Sequence, residues 1–304
     1  MQTHSIRHWL ILAFLILCWA SAIILTRVIA TELTPIWLTA ARVSSGAVAL
    51  ILYRVLIVKK PWSLGRHHIP WVIWLALISS AVPFVFLAWG SQYTSSAIAG
   101  ILIGTVPLSV LGLAHFLLPD EKMTRSKALG FLIGFAGLVL IIKPDNAPSS
   151  SEHTLQLLGE LAIFFCSLCY AMNTVSSRMI PPADNLDKAT AVVATSSLLL
   201  LIAGLALEPV DTLLAAPAHL WLILIYLGIV PTALATLMVF VLLSQTTATF
   251  LATSNYLIPI ATALGGILFL GESLTWVVWL GFAIILAGVA ISSRPGRRAG
   301  KQQA

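Results

Sequence analysis

Apolar stretches of about 20 residues follow one another along the chain, separated by short breaks of Pro, Gly and charge. That is the length at which a helix crosses a hydrocarbon core of roughly 30 Å. The pattern predicts ten helices, over about 8–29, 35–57, 69–91, 96–117, 127–142, 156–178, 188–207, 219–243, 249–270 and 276–293. The short alternating segments of a membrane strand are missing, so a barrel is excluded.

Composition agrees. Of 304 residues, 59% are hydrophobic and 9% charged, against roughly 25% charged in a soluble domain. The formal charge of +6 does not point to nucleic acid, because the basic residues are scattered through short connections without interleaved aromatics. They report topology instead. With the amino terminus inside, fourteen of the seventeen Lys and Arg fall in inner segments; Lys143 is alone on the outer side, and Arg27 and Arg42 lie within spans. By the positive-inside rule both termini are cytoplasmic, and the expected location is a bacterial inner membrane crossed many times. The first apolar stretch is too long for a cleavable signal. Cys18, Cys166 and Cys169 all lie inside apolar spans, and three cysteines do not make a disulfide framework.

The most polar interior stretch, Lys143 to Thr154, reads as a linker. It divides the chain into a first repeat at 1–145, a periplasmic linker at 146–154 and a second repeat at 155–304 that ends in a basic cytoplasmic tail. Five helices per half is an odd number, so duplicate halves must be inverted. Duplication is visible at an offset of about 151 residues. Cys18-Trp19-Ala20 matches Cys169-Tyr170-Ala171, Arg27 matches Arg178, and the Asp120–Thr124 segment matches Gly271–Thr275. Gly130 and Gly137 match Gly281 and Gly288; Pro83 and Pro107 match Pro231 and Pro259. Inverted repeats are the mark of secondary transporters, whose two halves exchange roles to open a midplane site to either side.

Trp19-Ala20-Ser21, Arg27, Pro35, Ala41-Arg42, Asn255 to Pro259, and above all Leu270-Gly271-Glu272-Ser273-Leu274-Thr275 with the glycines that follow it, resemble the EamA type of the drug/metabolite transporter superfamily. The resemblance covers nearly the whole chain in two copies. It implies ten transmembrane helices as two inverted five-helix repeats, a central cavity, and export or exchange of amino acids, related metabolites or drugs. The first half departs from it with Pro119-Asp120-Glu121 in place of Leu-Gly-Glu.

Six residues are expected to bind substrate: Trp19, Arg42, Tyr170, Asn173, Asn255 and Tyr256. Arginine is costly within a span and is by default a functional candidate. Arg42 shares a helical face with Ser45, Gly46 and Ala49, which turns it towards the bundle and suits capture of a carboxylate. The competing reading is an arginine that snorkels outward or binds helix-end carbonyls. Trp19 and Tyr170 sit too deep for an interfacial belt and suit a cavity wall; in the aromatic stripe Phe86, Trp89 and Tyr93, the last two fit a belt. Buried Asn173 and Asn255 must bond a neighbouring helix or a ligand. Arg27 and Arg178 read as anchors near helix C-termini. Pro83, Pro107, Pro231 and Pro259 are expected to kink their helices. His115, near an inner helix end, is a possible proton relay.

The sequence shows no phosphate-binding loop, zinc-protease or nucleophile-elbow motif, and implies no metal or cofactor. Its eleven acidic residues are read as lying in loops or near span ends, with Glu160 deepest at about one turn in. Cys166 and Cys169 have redox spacing but apolar surroundings, so they read as core. The expected function is a carrier of small organic metabolites working by alternating access, with the bilayer as surroundings and a monomer or homodimer as the assembly. A lipid-carrier flippase or an integral membrane lipid-modifying enzyme are the alternatives; the latter needs clustered acid, base or metal ligands that the scattered carboxylates do not supply.

Overall fold

The computed structural model describes residues 5–117, 123–142, 151–247, 250–251 and 253–292. Every regular element among them is helical. Eight helices are long and apolar enough to cross a membrane: α1 Ile6–Ile29, α2 Pro35–Val58, α3 Arg66–Gly90, α4 Ser96–Leu117, α5 Arg125–Ile142, α6 Ser151–Ser176, α7 Asn185–Leu207 and α8 Ala218–Gln245. Two shorter apolar helices follow, α9 Ser254–Leu270 and α10 Trp276–Ser292, each about 25 Å long at 1.5 Å per residue. Large apolar side chains cover the outside, among them Leu10, Leu17, Leu132, Leu205, Leu222 and Leu268. That is the surface a bilayer wets and water does not.

Between helices the contacts depend on small residues, as expected where lipid competes equally for apolar side chains. The α5–α10 pair is the most intimate. A Cβ on Gly130 would meet Gly288 O at 2.4 Å, and one on Gly137 would meet Gly281 O at 2.6 Å. As one residue number rises the other falls, so these helices run antiparallel. The α2–α7 pair behaves alike: Trp37 lies against Gly204, Ser44 Oγ is 2.8 Å from Ser197 Oγ, and Arg54 reaches Asp187. α4 packs on α9 as well, and several further contacts between the halves come in exchanged pairs. Where α1 packs on α9, α4 packs on α6; where α2 packs on α8, α3 packs on α7; and where α3 packs on α6, α1 packs on α8.

The segment Leu270–Thr275 now has a physical account. Gly271 ends α9 with a φ of 65°, the left-handed conformation that favours glycine. Glu272 then reaches the start of α4, accepting from Ser96 N at 2.7 Å, Ser96 Oγ at 3.0 Å and Ala97 N at 3.0 Å. It satisfies orphan amides and puts negative charge at the positive end of a helix. Glu272→Ala is expected to cost about 2 kcal/mol, seen as a lower thermal midpoint in detergent; an unchanged midpoint would show the cap to be dispensable. The matching segment Asp120 to Lys122 lies outside the described residues, as do the basic tail and most of the linker.

The start of α6 corrects the sequence reading. The helix begins at Ser151, so the last four residues assigned to the linker form its first turn, with Glu152 favourably placed at the helix's positive end. Glu160 is therefore nine residues along α6, about 13 Å from its start, and only 3% exposed, with Gln156 Nε2 donating to it at 3.0 Å. Serine competes with helix in its interior, which gives Ser151 the look of a turn residue, yet it is helical here.

Candidate functional site

Proline at its first position, after the extended Thr34, sets the start of α2. Seven residues on, about 10 Å along the axis, Arg42 turns into the bundle and is 4% exposed. Three other helices surround it. Phe84 of α3 lies under the guanidinium, 4.0 Å from ring centroid to Cζ. Thr26 of α1 accepts from Nη1 at 3.5 Å. Tyr170 of α6 is close enough to interact electrostatically. Among the described residues Arg42 has no carboxylate partner, and its buried Nε makes no hydrogen bond. One face of the guanidinium is covered by a ring, a contact worth about 2 kcal/mol when desolvated, while donors on its edge remain unused. Such an edge matches a carboxylate or phosphate in bidentate fashion.

The close approach of α2 to α8 holds this arginine in place. Gly46 and Gly228 meet backbone to backbone, and Ser45 Oγ donates to Leu224 O at 3.2 Å. Of the six expected binding residues, Tyr170 is the one that interacts electrostatically with Arg42, with no hydrogen bond between the two among the described residues. Asn173 sits one turn beyond Tyr170 on the same face, partly exposed, and its amide makes no hydrogen bond among the described residues. Trp19, Tyr170 and Tyr256 are all partly buried against one apolar core that includes Cys18, Ile101, Leu102 and Cys166. Asn255 is also partly exposed and without a hydrogen bond among the described residues, but no contact joins it to Arg42 or Tyr170. The sequence reading missed Phe84 and Thr26, although Phe84 directly follows the kinking Pro83 and Thr26 directly precedes Arg27.

Three of the four prolines lie in or beside a break in regular α-helix, while Pro259 lies within an uninterrupted one. Pro231 lies in a widened π-turn, Ile229–Leu234; the carbonyl it displaces, Leu227 O, is recovered by Thr232 Oγ1 at 2.9 Å. A similar π-turn at Leu77–Ala81 precedes Pro83, whose own carbonyl accepts from Cys166 Sγ at 3.1 Å. Just before Pro107, α4 breaks at Gly104 and Thr105, and Pro259 lies inside α9 against Gly104. His115 lies in the last turn of α4. Its Nδ1 accepts from Met123 N at 3.0 Å, which ties down the chain entering α5. Arg27 is an anchor, donating to Ser91 O at 2.7 Å. The three cysteines are free and buried. No cluster of His, Cys, Asp or Glu suited to a metal occurs among the described residues.

Sequence reasoning also missed a second charged feature. Arg54, near the end of α2, donates from Nε to Asp187 Oδ1 at 2.5 Å, with the two side chains 4% and 2% exposed. Arg54 Nη2 donates to Pro61 O at 2.9 Å, and Asp187 Oδ2 accepts from Ser63 N at 2.8 Å. This pair fastens α2 to α7 and to the connection after α2. Both residues had been counted as connection charges near span ends.

Comparison with known proteins agrees with this architecture. A solved crystal structure, 19% identical, superposes with a TM-score of 0.60 over 95% of this chain and 97% of the other. An uncharacterized transporter of Archaeoglobus fulgidus is 27% identical over 95% of this chain and 99% of its own length. The uncharacterized transporter YoaV of Bacillus subtilis is 24% identical over 91% of this chain and 93% of its own. The family model described as the EamA-like transporter family matches twice, at residues 7–143 and 157–294. The chain belongs to the EamA-like transporter family, as a multi-pass membrane transporter built from two copies of its repeat.

Proposed function

We propose that this chain exports small amphiphilic metabolites carrying a carboxylate, amino acids or their relatives, across a bacterial inner membrane by alternating access. In this reading ten helices span the membrane as two inverted five-helix repeats, with both termini in the cytoplasm and the 146–154 linker outside. The antiparallel running of α2 against α7 and of α5 against α10 supports inversion, because these are repeat mates, and the exchanged contacts support a two-fold relation. Outward transport is what the family resemblance implies.

The observation that carries the substrate class is Arg42, a buried cation without a carboxylate partner among the described residues, set among helices of both halves. An uncompensated charge in a low-dielectric interior is costly, and an anionic substrate relieves that cost when it binds. Tyr170 and Trp19 offer apolar and aromatic surface for a side chain; Asn173, Asn255 and Tyr256 supply polar groups in the moving halves. The kinks at Pro83, Pro107, Pro231 and Pro259 are the compliant points of the motion.

The test is efflux from proteoliposomes loaded with a panel of labelled amino acids and their decarboxylated amines. Efflux of one or more carboxylate-bearing solutes, with none of the matching amines, is expected. Failure to release any solute, with the protein folded and inserted, would move the assignment to lipid-carrier flipping.

A further inference from the structure

A pocket of about 340 Å³ lies between the start of α3 and α7, lined by Leu64, Arg66, His68, Ile69, Ile73 and Thr195 among others. It is distant in sequence and function from Arg42, and the transport reading makes no use of it. Its volume is in the range of roughly 300–1,000 Å³ that small-molecule sites occupy.

His68 gives the pocket its chemistry. Gly65 N donates to His68 Nδ1 at 3.0 Å. Nδ1 is therefore an acceptor, and the ring proton sits on Nε2. That Nε2 is buried and has no partner among the described residues, in a side chain 98% buried. An unpaired buried donor costs about 1–3 kcal/mol, and this one belongs to a residue that lines the pocket. At its mouth stands exposed Arg66, with no ion-pair partner among the described residues. The acids at the start of facing α7 are already engaged: Asp187 is taken by Arg54, and Asp184 accepts from Leu186 N and Asp187 N. Deeper along the helix, Ile69 and Ile73 present exposed apolar surface next to Ala191 and Thr195.

We infer that this pocket binds the headgroup phosphate of an anionic phospholipid. The phosphate oxygens accept from His68 Nε2 and pair with Arg66, and an acyl chain follows Ile69 and Ile73 along the α3–α7 seam. The polar end is where a phosphate lies at the membrane surface and the apolar lane is where its chains run, an order that a free anion would not need. The leaflet is the one on the amino-terminal face, cytoplasmic in the topology proposed above. Because α3 and α7 belong to different halves, the lipid would bridge them.

Native mass spectrometry of the full chain released from detergent tests this without any transport assay, so its failure leaves the carrier reading untouched. The probes are phosphatidylglycerol, phosphatidylcholine with the same acyl chains, and inorganic phosphate. We expect one phosphatidylglycerol retained roughly tenfold more strongly than phosphatidylcholine, with the preference lost in Arg66→Gln and in His68→Phe. Arg66 is exposed, so its variant reports on binding even if the His68 change disturbs folding. Equal retention of the two lipids, a preference that survives Arg66→Gln, or competition by millimolar inorganic phosphate would each overturn the assignment.

Discussion

Asp187→Ala is expected to destabilise the protein by about 3–5 kcal/mol, because it strands the Arg54 guanidinium in a buried site. The carboxylate takes one bond from Arg54 and one from the Ser63 amide, so its loss also frees a backbone donor. Arg54 keeps Pro61 O and its stack on Trp62, 5.0 Å from the ring centroid, but neither is an anion. The double change Arg54→Leu with Asp187→Leu removes both charges and fills the space with apolar side chains. It should cost much less than the single change, since a buried ion pair is repaid only in part for its desolvation. Thermal midpoints of the wild type, the two single variants and the double variant give the coupling energy directly. A coupling below about 1 kcal/mol would place the pair among ordinary surface salt bridges. A strong coupling carries a consequence for transport, because this pair joins repeat mates α2 and α7. Any motion that separates them at this end must break it.

The helices were legible because lipid imposes a simple rule: every backbone group is satisfied within its own segment, so span lengths show in the sequence. Helix ends were less legible. The Ser151–Thr154 turn looked like linker by composition, and the true start changed the depth of Glu160. The repeat could be read from Gly130, Gly137, Gly281 and Gly288 because close backbone contact leaves no alternative to glycine. Arg42 stood out because its cost within a span has no local remedy. Phe84 and Thr26 did not, since nothing in a one-dimensional pattern says which apolar residue of α3 lies under an arginine of α2. Arg54 and Asp187 are 133 residues apart. Each alone is an unremarkable charge near a helix end; only the antiparallel register of α2 and α7 makes them neighbours.

Arg42→Ala should lower substrate efflux at sub-saturating concentration by at least about a hundredfold, the loss expected when a bidentate charge-assisted contact is removed. Arg42→Lys keeps the charge but not the planar fork, and should cost roughly tenfold. Stability separates this role from an anchoring one. An anchoring arginine holds carbonyls or a carboxylate, and its removal destabilises. Among the described residues Arg42 has the long contact to Thr26, the stack on Phe84 and the electrostatic influence of Tyr170, and its Nε is unsatisfied. Alanine there removes a buried cation that no anion among the described residues compensates, so without substrate the thermal midpoint should hold or rise, as is common where function maintains a local strain. Added substrate should raise the wild-type midpoint through linkage and leave that of Arg42→Ala unmoved. A fall in midpoint on Arg42→Ala, with efflux reduced equally for substrates with and without a carboxylate, would make the residue a structural anchor. If the midpoint is kept and selectivity for the carboxylate is lost, the binding role stands, because only a group that meets the substrate can discriminate between two solutes that differ in that charge alone.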